Sequence, residues 1–155
     1  METMQEYVDL LLAGGQFEDA IGHLEEMLEL NPNDNQGMRY TLLNVYMATD
    51  RLAETEQLIA DYNDDITAAF AYSGAWLEYL KNGPTSTFKM KFRAAKNTNA
   101  HVPDYLVSRK PLPQDLPEVI GFGDENEAIA YVASTGPLWV KIAPALEWLT
   151  SNEEV

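Results

Sequence analysis

Two histidines, His23 and His101, are the only imidazoles in this 155-residue chain, and cysteine is absent. General acid–base catalysis near neutral pH falls first to histidine, and a hydroxyl nucleophile needs such a base within hydrogen-bond reach. His23 stands on the polar side of a helical pattern and His101 in a turn, and no motif places a serine beside either, so both read as structural or surface residues. His101 and Asp104 offer two metal ligands without a third. The Gly121-Phe122-Gly123 run lacks the third glycine, the preceding strand and the lysine of a phosphate loop, and reads as a turn before a helix. Acidic pairs such as Glu25-Glu26 and Asp64-Asp65 lack the calcium-loop spacing that converges oxygens on one ion, and read as solvated faces. The expectation is binding without turnover, with no cofactor and no metal.

The chemistry that remains is that of charge and apolar surface. A formal net charge of -15 argues against nucleic acid as a partner, because a phosphate backbone is met by clustered Lys and Arg. The charge is unevenly spread: residues 1–65 hold 15 acidic and 2 basic side chains (net -13), residues 66–110 hold 2 and 7 (net +5), and residues 111–155 hold 8 and 1 (net -7). Within the basic band Lys89, Arg93 and Lys96 recur at spacings of four and three and share one helical face, while Phe88, Phe92 and Ala95 take another. Such a face either holds an acidic segment of a partner or balances acidic neighbours within the fold.

Positioning these residues falls to helices. Phe17, Ala20, Ile21, Leu24, Met27 and Leu28 keep strict helical spacing, with residues 18, 19, 22, 23, 25, 26 and 29 on the polar side. An earlier helical stretch carries Met4, Tyr7, Val8, Leu11 and Leu12 and is broken by Gly14-Gly15, so two antiparallel helices joined by a tight turn follow. A second such pair appears about 35 residues on: Leu42, Leu43 and Tyr46 lead to the Asp50-Arg51 turn and then to Leu52, Ile59 and Tyr62. A third runs from Ile66 through Tyr72, Ala75, Trp76 and Tyr79 to Asn82-Gly83-Pro84 and resumes with Phe88, Phe92 and Ala95. The spacing predicts helices near 2–14, 18–30, 36–49, 52–62, 66–82 and 86–97.

The run from Gly15 through Phe17, Ala20, Ile21, Leu24, Met27 and Leu28 to Pro32 resembles the second half of a tetratricopeptide repeat (TPR). It has the turn glycine, the small residue at the helix crossing, the large apolar residue four later and the closing proline. The first helix departs from the family pattern, with Met4, Tyr7 and Val8 in place of tryptophan, leucine and glycine, and in the second copy Thr55 and Glu56 stand where Ala20 and Ile21 stand in the first. The resemblance covers roughly residues 1–100 and implies an all-α fold, a right-handed α-solenoid of about three TPR-type helix pairs. It further implies that the first helix of each pair lines a concave groove showing Gln5, Asp9, Leu12, Tyr40, Asn44, Met47, Phe70, Ser73 and Leu77, a mixture of apolar and polar groups suited to an extended or helical peptide. The alternative is that Leu12, Met47, Phe70 and Leu77 are buried by neighbouring helices.

From His101 to Gly123 four prolines, Pro103, Pro111, Pro113 and Pro117, interrupt an apolar series of Val102, Tyr105, Leu106, Val107, Leu112, Leu116, Val119, Ile120 and Phe122. An irregular strap packed on the solenoid is expected. Asp124-Glu125-Asn126-Glu127 resembles a capping box opening a helix that Gly136-Pro137 terminates, and a second closing helix carries Leu138, Trp139, Ile142, Leu146, Trp148 and Leu149, with a kink or restart at Pro144. This second half also resembles the C-terminal part of bacterial TPR-like proteins of unassigned function. One domain over residues 1–155 is expected, made of helix pairs (1–100), strap (101–123) and two C-terminal capping helices (124–155).

The function expected from this reading is that of a non-catalytic protein- or peptide-binding adaptor, monomer or homodimer, whose partner carries an acidic segment if the basic face binds and need not if that face only balances charge. No stretch approaches the roughly 18 consecutive apolar residues of a membrane helix, and the first residues lack the basic start of a secretory signal, so a cytoplasmic protein is expected. Two alternatives stand beside it: a TPR-type secretion chaperone, from size, acidity and repeat number, and an acidic decoy occupying a basic nucleic-acid-binding protein, from the acidic first block.

Overall fold

A computed structural model describes residues 4–34, 37–107 and 110–142, with side chains from residue 7 onward. All regular structure among these residues is helical: α1 (Met4–Ala13), α2 (Phe17–Leu30), α3 (Met38–Ala48), α4 (Leu52–Asp61), α5 (Ala68–Asn82), α6 (Ser86–Thr98), α7 (Val102–Leu106) and α8 (Glu125–Val140). The chain divides into two compact units, Met1–Leu58 and Ile59–Val155, the change falling inside α4.

In the first unit α2 packs against both α1 and α3. The turn after α1 closes with Gly15 at φ 75°, the Gln16 N–H donating to the Leu11 carbonyl at 2.8 Å and the Gly15 N–H to that of Leu12 at 3.1 Å. That left-handed closure satisfies carbonyls the helix end would leave bare. Asp50 repeats it after α3 at φ 59°, with Arg51 N–H to Tyr46 O at 2.9 Å and Asp50 N–H to Met47 O at 3.3 Å. The core joins Val8 and Leu11 to Ala20, Ile21, Leu24, Leu42 and Leu43, all buried. Thr55, standing where the first copy has Ala20, is also fully buried. Its hydroxyl donates to the Arg51 carbonyl at 2.7 Å, which removes the cost of burying it. Tyr46 OH donates to Glu25 at 2.5 Å, and burial together with that carboxylate pushes its phenol well above the usual range. Phe17 and Tyr7, read from spacing as apolar-face residues, are 41% and 40% exposed.

The second unit is built on the α5–α6 pair, joined through Gly83 at φ 80°. Thr85 caps α6, its Oγ1 accepting the Phe88 N–H at 3.1 Å. Tyr72, Trp76, Phe88, Phe92 and Trp139 are fully buried. Their rings meet edge to face, Tyr72 with Phe92 at 5.3 Å and Phe92 with Trp139 at 6.0 Å between centroids. α8 packs on α5 and on α7.

Three expectations change here. The helix opened by Asp124 does not stop at Gly136-Pro137 but runs on as α8 to Val140. An interior proline costs about 3 kcal/mol through its missing N–H and its ring. Against that stands the burial of Leu138 and the fully buried Trp139, each large side chain contributing about 1.5–3 kcal/mol. Trp76 Nε1 also donates to the Leu138 carbonyl at 3.0 Å, and Trp139 Nε1 to Tyr131 OH at 3.0 Å. The remainder of the expected last helix, with Pro144, Leu146, Trp148 and Leu149, lies outside the described residues. Second, the strap contains a short helix, α7, whose first turn accepts Pro103 and buries Val102, Tyr105 and Leu106. Third, the rest of the strap does not pack: Leu112, Leu116, Val119, Ile120 and Phe122 are exposed.

Candidate protein-binding surfaces

The start of α3 shows how one of the expected groove residues is held. Asp34 adopts φ 49° and is buried. Its Oδ1 accepts the Met38 N–H at 2.7 Å and its Oδ2 the Arg39 N–H at 2.8 Å, satisfying two of the donors a helix N-terminus leaves free. The Arg39 guanidinium returns to Asp34 Oδ2 at 3.0 Å. It also donates from Nη2 to Tyr40 OH at 2.8 Å, and its carbon lies 4.5 Å from the centre of the Tyr40 ring. A carboxylate thus anchors a guanidinium, and the guanidinium fixes the half-buried Tyr40. An aromatic side chain already ordered spares a partner the entropy of ordering it.

Asn44, one turn beyond Tyr40, is half-buried, and Met47, on the following turn, is fully buried. On α1 Asp9 is exposed and Leu12 half-buried, while Gln5 lies outside the described side chains. Asp34 and Arg39 are the residues that pattern reading missed. Asp34 sits three positions ahead of the α3 N-cap, Gly37, where the usual cap signal is not sought.

In the second unit Phe70, Ser73 and Leu77 are buried. Ser73 Oγ pairs with Tyr131 OH at 3.1 Å, so that side of α5 is taken by α8. Phe70 lies edge-on to Tyr62, 6.4 Å between centroids. On α6 Arg93 is exposed, and Lys89 and Lys96 are half-buried. Met90 is 62% exposed on the same helix, and Lys91 reaches Glu78 at 3.7 Å. The His23 ring lies edge-on to Tyr7 at 4.8 Å, and the His101 backbone N–H donates to Asn99 Oδ1 at 2.9 Å. Among the described residues no group of three or more His, Cys, Asp or Glu comes together to hold a metal ion. No helix among them is long and apolar enough to cross a membrane.

Residues 11–74, from the end of α1 into α5, match the family model described as tetratricopeptide repeat. The match spans less than half of the chain, and no curated protein and no solved structure matches it. Its TPR stretch holds Leu12, Asp34, Arg39, Tyr40 and Asn44 and ends before the basic residues of α6. Repeats of this family generally mediate protein–protein contacts and are typically non-catalytic.

Proposed function

We propose that this chain is a non-catalytic adaptor that binds another protein or peptide through side chains of α1 and α3, with the half-buried Tyr40 as the anchor. Asp9, Leu12 and Asn44 supply the polar and apolar surroundings, and the α6 face of Lys89, Arg93 and Lys96 meets an acidic segment of the partner. The observation that carries this reading is the ordered Asp34–Arg39–Tyr40 chain of contacts at the start of α3. A half-buried tyrosine held in place is the kind of side chain that dominates binding energy at interfaces.

The test begins with affinity purification of the chain's partner from its native host, followed by surface binding kinetics at two salt concentrations. Tyr40→Ala should speed dissociation by about tenfold, equivalent to about 1.4 kcal/mol. Replacing Lys89, Arg93 and Lys96 by glutamate should slow association and flatten its salt dependence, because exposed charges act over a screening length of about 8–10 Å. Unchanged kinetics for Tyr40→Ala would remove the TPR stretch as the binding surface, and an unchanged salt slope for the triple variant would leave α6 only balancing charge.

A further inference from the structure

The segment between α7 and α8 is exposed although its composition is that of a buried one. Leu112, Leu116, Val119, Ile120 and Phe122 are 40%, 56%, 78%, 51% and 75% exposed. Single exposed apolar side chains are ordinary, but this many along one short run mark an interaction surface. Among the described residues no backbone–backbone hydrogen bond involves residues 111–120, so most of their main-chain groups are not engaged by the backbone of the fold.

The two ends of the run are nevertheless fastened. Tyr105 OH and Lys110 Nζ both donate to Glu125 Oε2, at 2.6 and 3.0 Å. Asn126 Nδ2 donates to the Val119 carbonyl at 3.0 Å, and the Gly121 N–H to Asp124 Oδ2 at 2.9 Å. Long loops without secondary structure are usually functional or linkers, and a loop tied at both ends to one unit is not a linker. Pro111, Pro113 and Pro117 fix three backbone angles in advance, which lowers the entropy lost when the run is gripped. Its charge names the complement: Asp115 and Glu118 lie between the apolar residues, and no Lys, Arg or His occurs from 111 to 140. A second copy of the chain is a poor occupant, because each copy has a net charge of -15.

We propose that residues 111–122 are a peptide-like docking segment that enters an apolar cleft, bordered by Lys or Arg, on a partner protein. This surface is separate from the TPR stretch: there the chain receives a ligand, and here it supplies one.

The full-length chain carrying the photo-crosslinker benzoylphenylalanine at position 120 is expressed in its native host, with the same group at exposed Ala53 on α4 as control. The expected result is one protein joined at 120 and not at 53, through a contact peptide rich in apolar and basic residues. With that protein purified, Val119→Asp/Phe122→Asp should weaken its affinity for the chain at least tenfold, and Asp115→Lys/Glu118→Lys should reverse the salt dependence. Both variants change exposed side chains, and unchanged circular dichroism confirms the fold before binding is read. Equal crosslinking at 120 and 53, crosslinks only to another copy of the chain, or an affinity unmoved by Val119→Asp/Phe122→Asp overturns the proposal. Tyr40→Ala serves as an independent readout: loss of binding there with none at 119 and 122 sinks the docking segment alone.

Discussion

Glu127 on α8 accepts the backbone N–H of Ala68 at the start of α5, Oε2 to N 3.0 Å, across 59 positions of sequence. Its other oxygen accepts from Asn99 Nδ2 at 2.9 Å and from the Gly123 N–H at 2.8 Å. One buried carboxylate therefore ties the N-terminus of α5, the C-cap of α6 and the N-terminus of α8. The N-cap of α5, Thr67, makes no side-chain cap bond, so a residue from another helix performs that role. Negative charge suits the positive ends of both helix dipoles. Asn99 passes the connection inward, its carbonyl accepting from Tyr72 OH at 2.6 Å. Burial holds the Tyr72 phenol far above its ordinary range, with Tyr131 and Glu127 adding to the effect.

Glu127→Gln replaces one acceptor oxygen with a donor, and each oxygen of Glu127 already faces an N–H. The expected loss of stability is about 1.5–3 kcal/mol, the range for a hydrogen bond to a charged group. Urea unfolding measures it, and an unmoved midpoint at constant slope would show that the carboxylate is not holding the junction.

Leu24 is fully buried in the first unit. Leu24→Ala should cost about 2–5 kcal/mol through lost burial and the cavity left behind. A cost below about 0.5 kcal/mol, typical of a surface substitution, would contradict the repeat register.

Pro137 is an exposed proline inside α8. Pro137→Ala should restore the missing helical N–H and raise stability by about 1–3 kcal/mol. Were the helix to end at Gly136, the same change would be neutral, so thermal unfolding of this one variant separates the two cases.

Glu125 is held below its ordinary value of 4.5 by hydrogen bonds from Tyr105 and Lys110 and by the Lys110 charge. A carboxyl lowered in the folded state contributes stability that is present above its unfolded value and is lost as pH falls through the folded one. Acidification below 4.5 should therefore release the fastening of the 111–122 loop, seen as chemical-shift changes of the Tyr105 ring. Glu125→Gln should abolish that acid transition. Tyr105 and Lys110 are both raised, each chiefly by its own hydrogen bond to Glu125, so their contribution persists through neutral pH and fades only in strong alkali.

The α1, α2, α3, α4, α5 and α6 helices were legible in the residues themselves, because the information is local. Apolar side chains three and four apart define a helix face, Gly15 and Gly83 accept the backbone angles that end one, and Thr85 and Asp124 cap the next from three residues away. The same local signals marked Lys89, Arg93 and Lys96 as one helical face.

Tertiary structure decided what depends on residues far apart in sequence. Whether Pro137 ends a helix depends on what Leu138 and Trp139 gain against Trp76 and Tyr131, and no window of sequence contains both sides of that balance. The same holds for Glu127, whose capping-box position was readable but whose bond to Ala68 spans 59 positions. Composition shows that Leu116, Val119 and Phe122 are apolar and Ser73 polar. Only the packing of α8 on α5 covers Ser73, and only the absence of any helix over residues 111–122, among those described, leaves the apolar side chains open to solvent. Burial is a property of what lies on the other side of a residue, and that is settled by the fold and not by the residue.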